Sequence, residues 1–245
     1  MFRPIVWADL QFLSCAMEDV YGKALWDYAK GDEQSLLMLH NSYGEPEEMP
    51  VWYFFREYED MPERERMALS VCEGRVLDVG AGTGSHSLIL QNAGVEVTAM
   101  DSSAKAVEIM RESGLKDVQQ KDFFSYQGQT FDTILALMNG IGIIGKLTRL
   151  QDFLNQAKTL LNPGGQLVFD SSDIKYLFDD APLPDHYYGE VRFQYEYKAQ
   201  KGAWFDWVYI DPDTLSERAD ELGWHTYFLH KDEHDQYLVR MIPKE

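Results

Sequence analysis

The chain has 245 residues, 45% of them hydrophobic and 26% charged, which places it among globular rather than disordered proteins. Its 41 acidic against 22 basic side chains leave a formal charge of −19. That balance repels phosphate backbones, because nucleic-acid binding draws mainly on Lys and Arg, so nucleic acid is disfavoured as partner or substrate.

In chain order, the apolar stretch from Leu10 to Met17 follows Asp9 and falls short of the roughly 18 uncharged residues of a membrane span. Neither a leader nor a membrane anchor is expected from it. Cys15 and Cys72 are too few for a disulfide framework and have no metal-ligand company. They read as small apolar residues in a reducing, cytoplasmic setting. Residues 1–70 are aromatic and acidic, with helical spacing at Leu25, Tyr28 and Ala29 and again around Leu36 to His40, which predicts a helical N-terminal cap. Asn41 to Pro50 is turn chemistry, and after Val51-Trp52-Tyr53-Phe54-Phe55 a charged helical run reaches Val71.

From Arg75 short apolar strands alternate with helices, the signature of βαβ units and a parallel sheet. The predicted strands are Arg75–Val79, Glu96–Met100, Val118–Gln120, Thr133–Met138 and Gln166–Asp170. Leu150, Phe153, Leu154, Ala157, Leu160 and Leu161 mark one face of a helix that Asn162-Pro163-Gly164-Gly165 stops. The period changes after residue 185, where Val191, Phe193, Tyr195 and Tyr197 alternate with polar residues. This predicts an inserted antiparallel hairpin over 185–210, turning at Lys201-Gly202. Asp211 then caps a helix with Pro212 at its first position and Gly223 at its end. Two closing strands, Thr226–His230 and Gln236–Ile242, form a final antiparallel pair.

The strongest local signal is Val76-Leu77-Asp78-Val79-Gly80-Ala81-Gly82-Thr83-Gly84-Ser85, where a strand hands over to a helix. Glycines let the chain turn tightly and let a ligand lie against main-chain N–H groups. Asp101 closes the next strand, 21 residues after Gly80, where doubly wound folds grip ribose hydroxyls. Together these point to an adenosine-containing ligand. A dinucleotide fingerprint would place its third glycine at 85, where Ser85 stands.

An acidic residue followed by G-x-G-x-G, here Asp78, Gly80, Gly82 and Gly84, resembles instead the first motif of the class I S-adenosylmethionine-dependent methyltransferases. The resemblance continues through Asp101, Lys121-Asp122-Phe123, Phe131-Asp132-Thr133-Ile134-Leu135 and Leu161-Asn162-Pro163-Gly164-Gly165, and covers roughly 70–175 and 211–242. It implies an α/β fold with a doubly wound, seven-stranded, mostly parallel sheet and an antiparallel C-terminal hairpin. The whole chain is then one domain: a cap over 1–70, a donor-binding core over 71–175 and 211–245, and the insert between.

The resemblance also implies S-adenosyl-L-methionine as methyl donor and S-adenosyl-L-homocysteine as product. Asp78 and the main chain of Gly80, Ala81, Gly82 and Gly84 would hold the methionine end, Asp101 the ribose and Asp122 the adenine. Ser102 and Phe123 would flank the adenine, and Met138 would lie at the strand edge near the reactive methyl. Methyl transfer needs alignment and exclusion of water more than a fixed catalytic group, so catalytic candidates are few. They are Asn139 at the fourth strand's end, His86 in the first turn of the helix, and Tyr43 in the cap. Each has a structural alternative: a turn for Asn139, a satisfied hydrogen bond for His86, packing for Tyr43. Asp170 and Asp173 end the fifth strand, where they either orient an acceptor or form a polar loop.

His230 and His234 flank a hairpin turn rather than share a helix face, so no metal site is expected. The aromatic segments around Trp52, Tyr53 and Phe55 and around Tyr187, Tyr188, Trp204 and Trp207 are candidates for a lid over the acceptor or for plain packing. A small-molecule acceptor is expected, with a protein side chain as the lesser alternative. An NAD(P)-binding oxidoreductase and a non-catalytic donor-binding sensor are the rival readings.

Overall fold

A computed structural model describes residues 19–179 and 182–244. Cys15 and the Leu10–Met17 stretch lie outside the described residues. The N-terminal part contains α1 (Val20–Ala29), β1 (Leu36–Asn41), β2 (Glu47–Pro50) and α2 (Glu63–Ser70), with short 3-10 turns at Val51–Phe55 and Tyr58–Asp60. The alternating region follows as β3 (Arg75–Val79), α3 (Ser85–Asn92), β4 (Glu96–Asp101), α4 (Ala104–Glu112), β5 (Asp117–Gln120), β6 (Phe131–Ala136), α5 (Leu150–Leu160) and β7 (Leu161–Ser172). The chain closes with β8 (Glu190–Tyr197), β9 (Gln200–Lys201), β10 (Phe205–Val208), α6 (Pro212–Glu221), β11 (Trp224–Lys231) and β12 (Gln236–Pro243).

The larger sheet has seven strands in the order β11-β12-β7-β6-β3-β4-β5. Strands β3 to β7 run parallel, while β12 pairs antiparallel with β7 and with β11. Both faces are buried, as a parallel sheet requires. Leu77, Val79, Ile134, Ala136, Leu167 and Phe169 point to one face, against Phe153, Leu154 and Ala157 of α5. Val76, Leu135, Leu137 and Val168 point to the other, against Leu69 of α2 and Leu90 of α3. Of the amphipathic row read for α5, Leu150, Phe153, Leu154, Ala157 and Leu160 are buried on the helix, whereas Leu161 already belongs to β7. Local caps set the helix starts: Asp19 accepts from Gly22 N, Ser103 from Ala106 N and Asp211 from Thr214 N, at 2.8, 3.0 and 2.9 Å.

The N-terminal cap is not wholly helical. Leu36 to His40 form β1, which pairs with β2 on one side and β8 on the other. The insert is likewise more than a hairpin, because β8 also pairs with β10, building a second, five-stranded sheet ordered β10-β8-β1-β2 with β9 beside β8. Its tight turn falls at Lys198-Ala199, both with positive φ, rather than at Lys201-Gly202. Leu37 and Tyr197 on this sheet pack against Val20, Ala24 and Leu25 of α1, which holds it over the strand ends of the larger sheet. The fourth parallel strand also stops earlier than its apolar run: Met138 and Asn139 take φ of 60° and 56°, a left-handed step out of the sheet.

No helix among the described residues is long and apolar enough to cross a membrane. Among the same residues no cluster of three His, Cys, Asp or Glu is arranged to hold a metal ion.

Candidate active site

The site forms where β3, β4 and β6 end. Gly80, Gly82 and Gly84 all have positive φ, which bends the chain sharply from β3 into α3. At Gly84 the reason is packing, since a Cβ would lie 2.6 Å from Leu115 Cδ1 and 2.9 Å from Met110 Cγ. Gly80 differs: among the described residues no atom beyond its own chain neighbours lies within 4 Å of the place its Cβ would take. That open cradle beside bare main chain is what a nucleoside donor needs, and a side chain there would fill it.

Asp101 ends β4 directly opposite the loop. Its Oδ2 accepts from Gly82 N at 2.9 Å and its Oδ1 from Ser103 N at 2.8 Å. Burial pushes its carboxyl up to about 6 against the pull of those two N–H groups, and Asp19 and Asp78 add to the rise. Asp78 is buried beneath the loop, accepts from Ser87 Oγ at 2.6 Å, and is driven up by burial while His86 pulls it down. It ties β3 to α3.

Ser102 is exposed beside Asp101, and its carbonyl accepts from Gln120 Nε2. Asp122 is exposed at the neighbouring strand end and caps a short turn, accepting from Phe124 N. Ala81, in the loop itself, donates its N–H to the Met100 carbonyl at 2.9 Å. The Phe123 ring is 3% exposed and packs on Phe153 at 4.9 Å in the core.

Met138 and Asn139 stand at the β6 edge, each half-buried. The Asn139 side chain is fully engaged: Ser171 Oγ donates to its Oδ1 at 2.8 Å and its Nδ2 donates to the Val208 carbonyl at 3.2 Å. Its own N–H donates to Asp170 Oδ1 at 2.8 Å. These bonds hold a left-handed pair of non-glycine residues, a conformation that costs about 1–3 kcal/mol per residue unless its surroundings fix it. Asp170 is buried and also receives Arg64 Nε at 3.3 Å, while Asp173 accepts from Tyr188 Oη at 2.8 Å.

His86 points away from the cleft. Its Nε2 meets Glu65 Oε2 at 2.8 Å, and Arg56 Nη2 bonds both Glu65 oxygens at 2.9 Å. Burial pushes the Glu65 carboxyl up, but His86 and Arg56 outweigh it and leave the group below its ordinary value. This network pins α2 to α3 beneath the loop. From above, Ser85 Oγ donates to the Phe54 carbonyl at 2.9 Å and Thr83 Oγ1 bonds the same oxygen. Tyr43 Oη donates to Glu47 Oε1 at 3.1 Å on the β1–β2 turn.

Sequence reasoning missed Tyr21. It projects from α1 so that its hydroxyl lies 3.2 Å from the place a Cβ would take on Gly82. Its ring stacks on Tyr195 of β8 at 5.2 Å and 26°. Trp207 of β10 closes the other end, with its indole occupying the space where a Cβ on Gly142 would sit. The second sheet therefore spans the site from the glycine loop to the β6 edge. Of the suspected lid residues, Trp52 and Trp204 are exposed, whereas Tyr187 and Tyr188 are tied to Asp211 and Asp173.

Residues 52–227 match the model of a methyltransferase domain family. The chain is similar to the crystal structure of an S-adenosylmethionine-dependent methyltransferase from Bacteroides fragilis in complex with S-adenosyl-L-homocysteine. The two share 41% identity and a TM-score of 0.87 over 94% of this chain and 97% of that one. An uncharacterized methyltransferase of Staphylococcus carnosus is 45% identical over 27% of this chain, and the match spans only 33% of that relative's length. A glycine/sarcosine N-methyltransferase of Halorhodospira halochloris is 25% identical over 70% of this chain and 75% of its own length.

Proposed function

Since the chain belongs to the S-adenosylmethionine-dependent methyltransferase family, with the Rossmann-like fold of its class I members, we propose that it transfers the donor's methyl to a small-molecule acceptor held under the second sheet. The observation that carries this reading is the unobstructed Gly80 in a loop whose Gly82 N–H is held by the buried carboxylate of Asp101. S-adenosylmethionine supplies a methyl already activated on a sulfonium, so the residues' work is to bind, align and exclude water. In this reading Asp101 accepts from the ribose hydroxyls, Asp122 offers its exposed carboxylate to the adenine amine, and the main chain at Gly80 to Gly84 lies along the methionine end. Asn139 and Asp170 hold the β6 edge in its left-handed step beside the transferring group. Tyr21 and Trp207 bracket the cleft and shield it from solvent.

The small size of the acceptor is supported by the glycine/sarcosine relative. Sparse cysteines support a cytoplasmic setting. Calorimetric titration with S-adenosylmethionine and S-adenosylhomocysteine tests the reading: saturable one-to-one binding of both is expected, and binding of neither overturns it.

A further inference from the structure

The ceiling of the cleft has a chemistry that selects its acceptor. Strand register sorts the second sheet's side chains into two faces. Leu37, Leu39, Glu47, Met49, Val191, Phe193, Tyr195, Phe205 and Trp207 share the inner face, because Leu39 is opposite Glu47 and Tyr195, Phe205 is opposite Phe193, and Trp207 is opposite Val191. Arg192 faces Asp206 and Lys201 faces Glu196, so these cations project from the outer face.

The inner face carries an unbroken path of rings. Tyr21 stacks on Tyr195, Tyr195 lies 5.3 Å from Phe205, and Phe205 lies 6.0 Å from Trp207, which rests on Gly142. Tyr195, Phe205 and Trp207 are all half-buried, and the path runs from the donor loop to the β6 edge. Its one formally charged member is a carboxylate, Glu47. Below it Asp101 is the acid of the glycine loop, Asp78 and Asp170 are buried against Ser87 and against Asn139 and Arg64, and that Arg64 guanidinium is also shared with Asp232.

We infer that the acceptor is an amine, methylated on nitrogen and carrying no anionic group. The inference rests on the methyl-transfer reading above and narrows it. A phenolate, thiolate or carboxylate approaching these rings would meet Glu47 and Asp101, with no cation on the inner face among the described residues to offset them. An alcohol would need a base to take its proton, and His86 Nε2 is engaged by Glu65 while Tyr43 donates to Glu47. An alkylammonium first releases one proton to water, and the neutral amine so formed needs no further base. Its nitrogen lone pair forms the new N–CH3 bond as the C–S bond breaks, the bonding electrons return to sulfur, and the positive charge passes from sulfur to nitrogen. The surplus N–H proton then leaves to water. Ring faces and carboxylates favour that nascent ammonium by cation–π and Coulomb attraction.

Three probes of one skeleton test this: 2-phenylethylamine, 2-phenylethanol and 3-phenylpropionate. Each is titrated calorimetrically into the S-adenosylhomocysteine-loaded protein, and methyl transfer to each from S-adenosylmethionine is followed by mass spectrometry. The amine is expected to bind at least tenfold tighter than the carboxylate and to be the one methylated. Phe205→Lys, which places a cation on the ceiling, is expected to reverse the order of amine and carboxylate. Equal binding of the three, methylation of the alcohol at the amine's rate, or no binding of the amine to donor-competent protein overturns the inference. Failure to bind S-adenosylhomocysteine overturns the underlying reading instead.

Discussion

The carboxylate of Asp101 accepts the main-chain N–H of Gly82 at 2.9 Å, so the acid expected at the ribose also shapes the loop expected at the methionine end. The two halves of the proposed donor site are one hydrogen-bonded unit. Asp101→Asn turns one acceptor oxygen into a donor that must face either Gly82 N or Ser103 N. Hydrogen bonds to a charged group contribute about 1.5–3 kcal/mol each, so S-adenosylhomocysteine affinity is expected to fall about ten- to hundredfold in calorimetry.

The same residue gives the site a pH dependence. Ribose hydroxyls donate to the ionised form, so ligand affinity is expected to hold above neutrality and weaken as pH falls through about 6. In the ligand-free protein the sign is opposite. A carboxyl raised from 3.8 to about 6 contributes stability present below the unfolded value and lost as pH rises through the folded one. Binding curves from pH 5 to 8 check this, and Asp101→Asn is expected to flatten them.

Glu65 is fully buried between Arg56 and His86. Glu65→Ala leaves a guanidinium buried without its charge partner, at a cost of about 3–5 kcal/mol that urea denaturation measures. Because the Glu65 carboxyl lies below its ordinary value, its contribution is present at neutral pH and is lost as pH falls through the acid range.

Gly80 and Gly84 separate binding from stability. Gly84→Ala meets Leu115 and Met110 and is strained at φ +84°, so it is expected to cost about 1–3 kcal/mol in thermal or chemical denaturation. Gly80→Ala is strained at φ +69° but meets no neighbour, so its stability loss is expected to be about 1 kcal/mol. Its Cβ fills the cradle, and donor affinity is expected to drop more than tenfold.

Much of the larger sheet was legible because its signals are local. The glycine loop, the Asp211-Pro212 helix start and the α5 stripe each carry their own physics within a dozen residues. The second sheet was hidden for the opposite reason. Leu36 to Asn41 lack polar alternation on a short segment, and the partners that make them a strand, Phe193 to Glu196, lie more than 150 residues away. Spacing singled out Asp101 and the loop, which the structure brings together, but not Tyr21, since nothing in its helix marks a residue that reaches the loop from one that faces a core. The inward turn of Phe123 and the left-handed step at Met138-Asn139 are likewise set by tertiary contacts with Phe153, Asp170 and Ser171.

The most direct test of the donor site is a crystal structure of the protein with S-adenosylhomocysteine. The ribose hydroxyls are expected on the Asp101 carboxylate, with the amino-acid end along Gly80 to Gly84 and the sulfur turned toward the Tyr195–Phe205–Trp207 rings. A ligand seated elsewhere, or a ribose that makes no bond to Asp101, would contradict the account.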